Sequence, residues 1–78
     1  MEKLIEALKL AKPMTDIEDF LTATDLYGQG VINSLDIIVI IDEICAAYNM
    51  EISVADITRK DFMTVDSMYA MVKQLGGV

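Results

Sequence analysis

The stretch NSLDIIVIIDEICAAYN, residues 33–49, decides the fold. Five β-branched residues in a row, Ile37 to Ile41, favour a strand by propensity alone. The pattern around them argues otherwise. At helical spacing Ile37, Ile40, Ile41, Ile44 and Tyr48 fall within one stripe about 100° wide, and the period continues past the isoleucine run. Asn33 is a good N-cap, and Asp36 three residues on resembles a capping box. Asn49 suits a helix C-terminus. The spacing therefore predicts a main helix over about 34–48, with that stripe on the core.

Working outward, Leu4, Ile5 and Leu8 recur at helical spacing, and Pro13 ends that first helix. A short amphipathic piece is expected over 16–23, with Ile17, Phe20 and Leu21 facing inward. Thr24 to Asn33, punctuated by Gly28 and Gly30, reads as a loop. Ser53 and Asp56 form a second capping-box-like start, opening a short helix with Ile57 inward. Thr64 caps the last helix. Val65, Met68, Val72 and Leu75 make its inner stripe, and Gly76 and Gly77 end it. The expectation is an all-α fold: a single domain over 1–78, built as a small three-to-four-helix bundle. A long loop joins its first and second main helices.

Composition narrows the function. The chain has 78 residues, no histidine, one cysteine and a net charge of −7. Without histidine there is no Ser-His-Asp triad, no Cys-His pair and no imidazole metal ligand. One cysteine, Cys45, rules out an internal disulfide framework and a Cys-rich zinc site. Cys45 itself reads as a small hydrophobe at the edge of the core stripe. The expected class is a non-enzyme without a metal, in a reducing, cytoplasmic setting and acting as a monomer. No run is long enough to span a bilayer, and the first twelve residues lack the apolar core of a signal peptide. Acidity disfavours nucleic acid. Residues 13–58 hold nine acids and no lysine or arginine. The bland reading is a solvated acidic surface, destabilised by self-repulsion; the sharper one is a docking face for basic partners.

The outer face of the main helix is unusual. Leu35, Val39 and Asp42 lie roughly 180° from the core stripe, with Ile38 on the flank. Exposed apolar residues grouped at a helix start make a partner-binding patch. Beside them is Ser34, the first helical residue, whose hydroxyl projects near the positive end of the helix dipole, where a phosphate ester is favoured.

These residues carry a resemblance. GVINSLDIIVIIDEI, residues 30–44, resembles the phosphopantetheine attachment segment of the acyl and peptidyl carrier proteins, in which a Gly-containing loop leads to Asp-Ser-Leu at the start of a helix. LYGQG (26–30), YNMEI (48–52), ADI (55–57) and DFMTVDSM (61–68) are similar to further parts of that family. The likeness spans nearly the whole chain and is weakest over residues 1–20.

The resemblance implies an acyl-carrier-protein-like bundle, with 4′-phosphopantetheine on Ser34 holding an acyl or aminoacyl group as a thioester. It implies a phosphopantetheinyl transferase, a loading ligase and downstream acyl-processing enzymes as partners. Such enzymes serve fatty-acid, polyketide or nonribosomal-peptide assembly. Asn33, Leu35, Asp36, Ile38, Val39 and Asp42 would be their recognition residues. Asn33 stands where the family usually has aspartate; the cap is kept and a charge used in loading is lost. Val39 stands where fatty-acid carriers commonly have an acid, which implies a dedicated partner set.

Asp66-Ser67-Met68 imitates the attachment motif more literally, but Thr64 already caps that helix and no Gly loop precedes it. Two other readings compete. One is a carrier-like interaction module that is never modified. The other is a degenerate calcium-binding helix–loop–helix over Asp25–Asp36, with Gly30, Ile32 and Asp36 in frame but Tyr27 and Gln29 where ligands belong.

Overall fold

A computed structural model describes residues 2–76, apart from the side chain of Val54. Four α-helices follow one another: α1 (Glu2–Ala11), α2 (Ile17–Thr22), α3 (Ser34–Tyr48) and α4 (Val65–Gln74). Two single 3₁₀ turns, Val54–Asp56 and Arg59–Phe62, lie between α3 and α4. The described residues contain no strand, and the longest connection precedes α3. The predicted small helical bundle is what forms. No helix among them is long and apolar enough to cross a membrane.

α3 is held at both ends as its sequence predicts. The Asn33 side chain accepts the Asp36 N–H at 3.0 Å, and the Asp36 carboxylate accepts the Asn33 N–H at 3.0 Å. Asn49 closes the helix in the left-handed region (φ 51°), which asparagine tolerates at little cost. Ile40, Ile41 and Ile44 are buried, and Ile37 and Tyr48 are half-buried against the same core. Each buried isoleucine contributes about 1.5–3 kcal/mol.

α1 runs antiparallel to α3. Lys12, just past the end of α1, bonds to Asp36 at the start of α3, while Lys3 lies over the ring of Tyr48 at the far end. Leu4, Ala7 and Leu8 fill the seam between them. α4 supplies Val65, Met68, Met71 and Val72 to the core. Gly76 takes φ 91° beyond its end; Gly77, also expected to close the helix, lies outside the described residues.

Two local expectations are corrected, and one turn was not foreseen. Leu21 faces outward, because in the six-residue α2 the i, i+3 pair Ile17 and Phe20 already occupies the inner side. The expected short helix after Ser53 is only the 3₁₀ turn Val54–Asp56. Ser53 Oγ accepts the Ala55 N–H, and no reciprocal bond from Asp56 completes a box. The second 3₁₀ turn, Arg59–Phe62, has no helical period to announce it. Burial of Phe62 anchors it, and the Asp61 carboxylate accepts the Thr58 N–H at 2.8 Å.

Candidate functional site

The loop ahead of α3 is built, not slack. Asp25 Oδ1 accepts the Gly28 N–H at 2.9 Å, and Gln29 Oε1 accepts the N–H groups of Thr24 and Asp25. Leu26 and Ile32, both buried, pin the loop to the core. The Leu26 N–H donates to the Met63 carbonyl, and its own carbonyl accepts the Val31 N–H. Gly30 sits at φ 78°, where a side chain would be strained. A Cβ on Gly28 would collide with the Asp25 carboxylate. Together these bonds lead the chain into Ser34 at the first position of α3.

Ser34 is exposed. Its Oγ lies 3.2 Å from the Tyr27 hydroxyl. The Tyr27 ring is half-buried and carries the Arg59 guanidinium over its face, 4.9 Å from the ring centre. Arg59 also reaches Asp25 at 3.8 Å, a loose and exposed ion pair. Tyr27, Ile37, Ile57, Arg59 and Phe62 line a mainly apolar cavity of about 370 Å³. Tyr27 thus touches both the serine hydroxyl and the cavity wall.

The other expected recognition residues divide into two groups. Leu35, Ile38 and Val39 are exposed to 73%, 54% and 42%, and Asp42 is exposed with them. Nothing in the described fold covers this face. Asn33 and Asp36 are spent on capping. Asp36 is also held by Lys12 Nζ at 2.9 Å, and that same ammonium donates to the Val31 carbonyl at 3.1 Å. Partial burial works to raise the Asp36 pKa. The Lys12 hydrogen bond, the Asn33 N–H and the Lys12 charge outweigh it, so the carboxyl lies below its ordinary value.

The geometry separates the two serine motifs. Ser67 Oγ accepts the Thr64 N–H at 3.0 Å and donates toward the carbonyls of Thr64 and Asp61. That hydroxyl is half-buried and fully engaged in capping α4. Ser34 Oγ has one partner among the described residues, and the residue is exposed to solvent. The calcium frame fares poorly on the same grounds. Asp25 is turned to Gly28 and Arg59, and Asp36 to Asn33 and Lys12.

Lys12 and Arg59 bound the long acidic stretch in sequence, and both fold back onto it. The self-repulsion expected of the nine acids is lessened accordingly: Asp36 and Asp25 each face a cation. The sequence leaves Tyr27 as either core or contact, and the contacts of Lys12 and Arg59 with this loop were not foreseen. The available signal was the position of the two cations at the edges of the acid run. Comparison with protein-family models, with curated proteins and with solved structures found no match.

Proposed function

We propose that this protein is a carrier whose Ser34 takes a 4′-phosphopantetheine arm, and that α3 is the helix its partner enzymes recognise. One observation carries the reading. The exposed hydroxyl at the first position of a capped, 15-residue helix adjoins an outer face that stays apolar at Leu35, Ile38 and Val39. Ser67, by contrast, has its hydroxyl engaged in capping α4.

The residues present fit such an arm. Ser34 Oγ is open to solvent, and Asp36 is turned toward Lys12 and Asn33. The first N–H groups of α3 favour a phosphate ester there. Loading is a phosphoryl transfer from coenzyme A. Ser34 Oγ forms a bond to the phosphorus that bears the pantetheine unit. The bond from that phosphorus to the second phosphate breaks, and adenosine 3′,5′-bisphosphate leaves with the electron pair. The hydroxyl proton passes to a base on the transferase, because Tyr27 is the only side chain bonded to Ser34 Oγ among the described residues. When bound, the group supplies a thiol that holds an acyl or aminoacyl unit as a thioester. The chain itself positions Ser34 through the Asn33 cap and the Asp25 turn. Leu35, Ile38, Val39 and Asp42 then form the surface offered to the transferase, the loading ligase and later enzymes.

The test is direct. The apo-protein is incubated with coenzyme A and a broad-specificity phosphopantetheinyl transferase, and its intact mass is measured. The expected result is one phosphopantetheine group on wild type and none on Ser34→Ala. An unchanged wild-type mass, or an adduct that survives Ser34→Ala, overturns the proposal and leaves an unmodified interaction module as the reading.

A further inference from the structure

Three features outside the attachment serine compete for a role. A cavity of about 430 Å³ borders Cys45, Met50 and Glu51, but no group in it points to a ligand. The Tyr48 hydroxyl is buried without a hydrogen-bond partner among the described residues, but it lies at the far end of α3. The Tyr27–Arg59 pair is different, because it stands against Ser34 and has capacity to spare.

We infer that Tyr27 and Arg59 form a seat for the phosphate ester carried by Ser34, holding the root of the arm against the loop. This rests on the proposed attachment at Ser34 and says how the chain receives it. Before loading, either hydroxyl of the Tyr27–Ser34 pair can donate to the other. After esterification Ser34 Oγ has no proton, so Tyr27 becomes the donor. It already lies 3.2 Å from the ester oxygen. The non-bridging phosphate oxygens would lie only two bonds from Ser34 Oγ, so the same hydroxyl would be the nearest side-chain donor to them among the described residues.

Arg59 adds the charge. Its guanidinium lies over the same ring, 4.9 Å from the ring centre, and this contact with the ring face uses none of its N–H donors. Arginine with a phosphate forms charge-assisted, often paired hydrogen bonds. The competing acid is Asp25, at 3.8 Å from Arg59. That distance is beyond hydrogen-bond range, and the arginine side chain is 64% exposed, so the pair is weak and easily shared. Asp25 keeps its own bond to the Gly28 N–H and serves to hold Arg59 near the ring. Lys12, the other nearby cation, is already committed to Asp36 and Val31. Of the two cations that fold onto this loop, Arg59 is thus the one with donors left, and the Tyr27 ring beneath it reaches Ser34.

The seat is read by phosphorus-31 NMR of the loaded protein, with the same chain unfolded in urea as reference. Wild type, Tyr27→Phe, Arg59→Gln and a control, Lys60→Gln, are each loaded, and intact mass confirms the adduct. Thermal melts confirm that each folds; Arg59→Gln lies on the surface and keeps the test open if Tyr27→Phe does not fold. The native wild-type resonance is expected to differ from the unfolded one. Tyr27→Phe and Arg59→Gln should each remove at least half of that difference, and Lys60→Gln should leave it intact. Relaxation of the arm's two methyl groups should show faster motion in the same two variants. Full loading with an unmoved resonance in both variants overturns the seat alone. No adduct on wild type overturns the Ser34 reading and the seat with it.

Discussion

Replacing Lys12 with methionine keeps most of the unbranched apolar stem and removes the charged end. The ammonium donates to Asp36 at 2.9 Å and to the Val31 carbonyl at 3.1 Å. It thereby ties the end of α1 to the loop and to the start of α3. At 2.9 Å and an effective dielectric of 20, the bare attraction is about 6 kcal/mol. Desolvation takes back most of it, because both side chains are nearly four-fifths buried. A charge-assisted hydrogen bond retains about 1.5–3 kcal/mol. Asp36 stays partly hydrated and keeps the Asn33 N–H, so the net loss should be about 2 kcal/mol.

The assay is urea unfolding followed by circular dichroism. With a slope of about 1 kcal/mol/M for so small a chain, the midpoint should fall by about 2 M at unchanged slope. A double-mutant cycle with Asp36→Asn, whose side-chain oxygen can still accept the Asn33 N–H, should give a coupling of about 1 kcal/mol. Single-mutant losses that simply add within about 0.3 kcal/mol would refute the reasoning and reduce the contact to an ordinary surface pair.

Gly28→Ala should cost about 1–2 kcal/mol in the same assay, because its Cβ displaces the Asp25 carboxylate from the Gly28 N–H. A neutral result would mean that the Asp25 turn does not hold the loop. Tyr48→Phe should raise stability by up to about 1 kcal/mol, since its buried hydroxyl has the Leu4 backbone beside it and no hydrogen bond of good geometry among the described residues; a loss of that size would show that the Leu4 contact is a bond. Leu35→Ala and Val39→Ala should leave the melting temperature nearly unchanged and lower the kcat/KM of loading about tenfold or more, which is about 1.4 kcal/mol. Unaltered loading kinetics would remove this face from transferase recognition. Asp36 has a lowered folded-state pKa, so its stabilisation is complete above the ordinary carboxylate range, near 3.8, and disappears as pH falls through the folded value. Asp36→Asn should flatten that acid limb, as read by melts between pH 2 and about 6; an unchanged limb would place the acid sensitivity elsewhere.

The parts of the fold written locally were legible. The α3 stripe needed only the spacing of Ile37, Ile40, Ile41 and Ile44, and its ends needed only Asn33, Asp36 and Asn49. The exposure of Leu35, Ile38 and Val39 followed from the same wheel. α2 was harder. Six residues give fewer than two turns, too few to fix which of Phe20 and Leu21 faces inward. The turn at Arg59–Phe62 exists because Phe62 reaches the core, and no local period records that. The site divided in the same way. Ser34 was legible because a cap, a loop and a helix converge on it in sequence. The contacts of Tyr27 with Ser34 and of Arg59 with the Tyr27 ring were not, because they depend on where the loop and the later 3₁₀ turn meet in space. Lys12 finds Asp36 across 24 positions, a pairing only the packing of α1 on α3 creates.

The central claim is that Ser34, and not the more literal motif at Ser67, receives the arm. Peptide mapping by fragmentation mass spectrometry, after incubation of wild type with coenzyme A and the transferase, tests it most directly. The account predicts phosphopantetheine on the peptide containing Ser34 and full loading of a Ser67→Ala variant. Modification mapped to Ser67, or none on any serine, would contradict it.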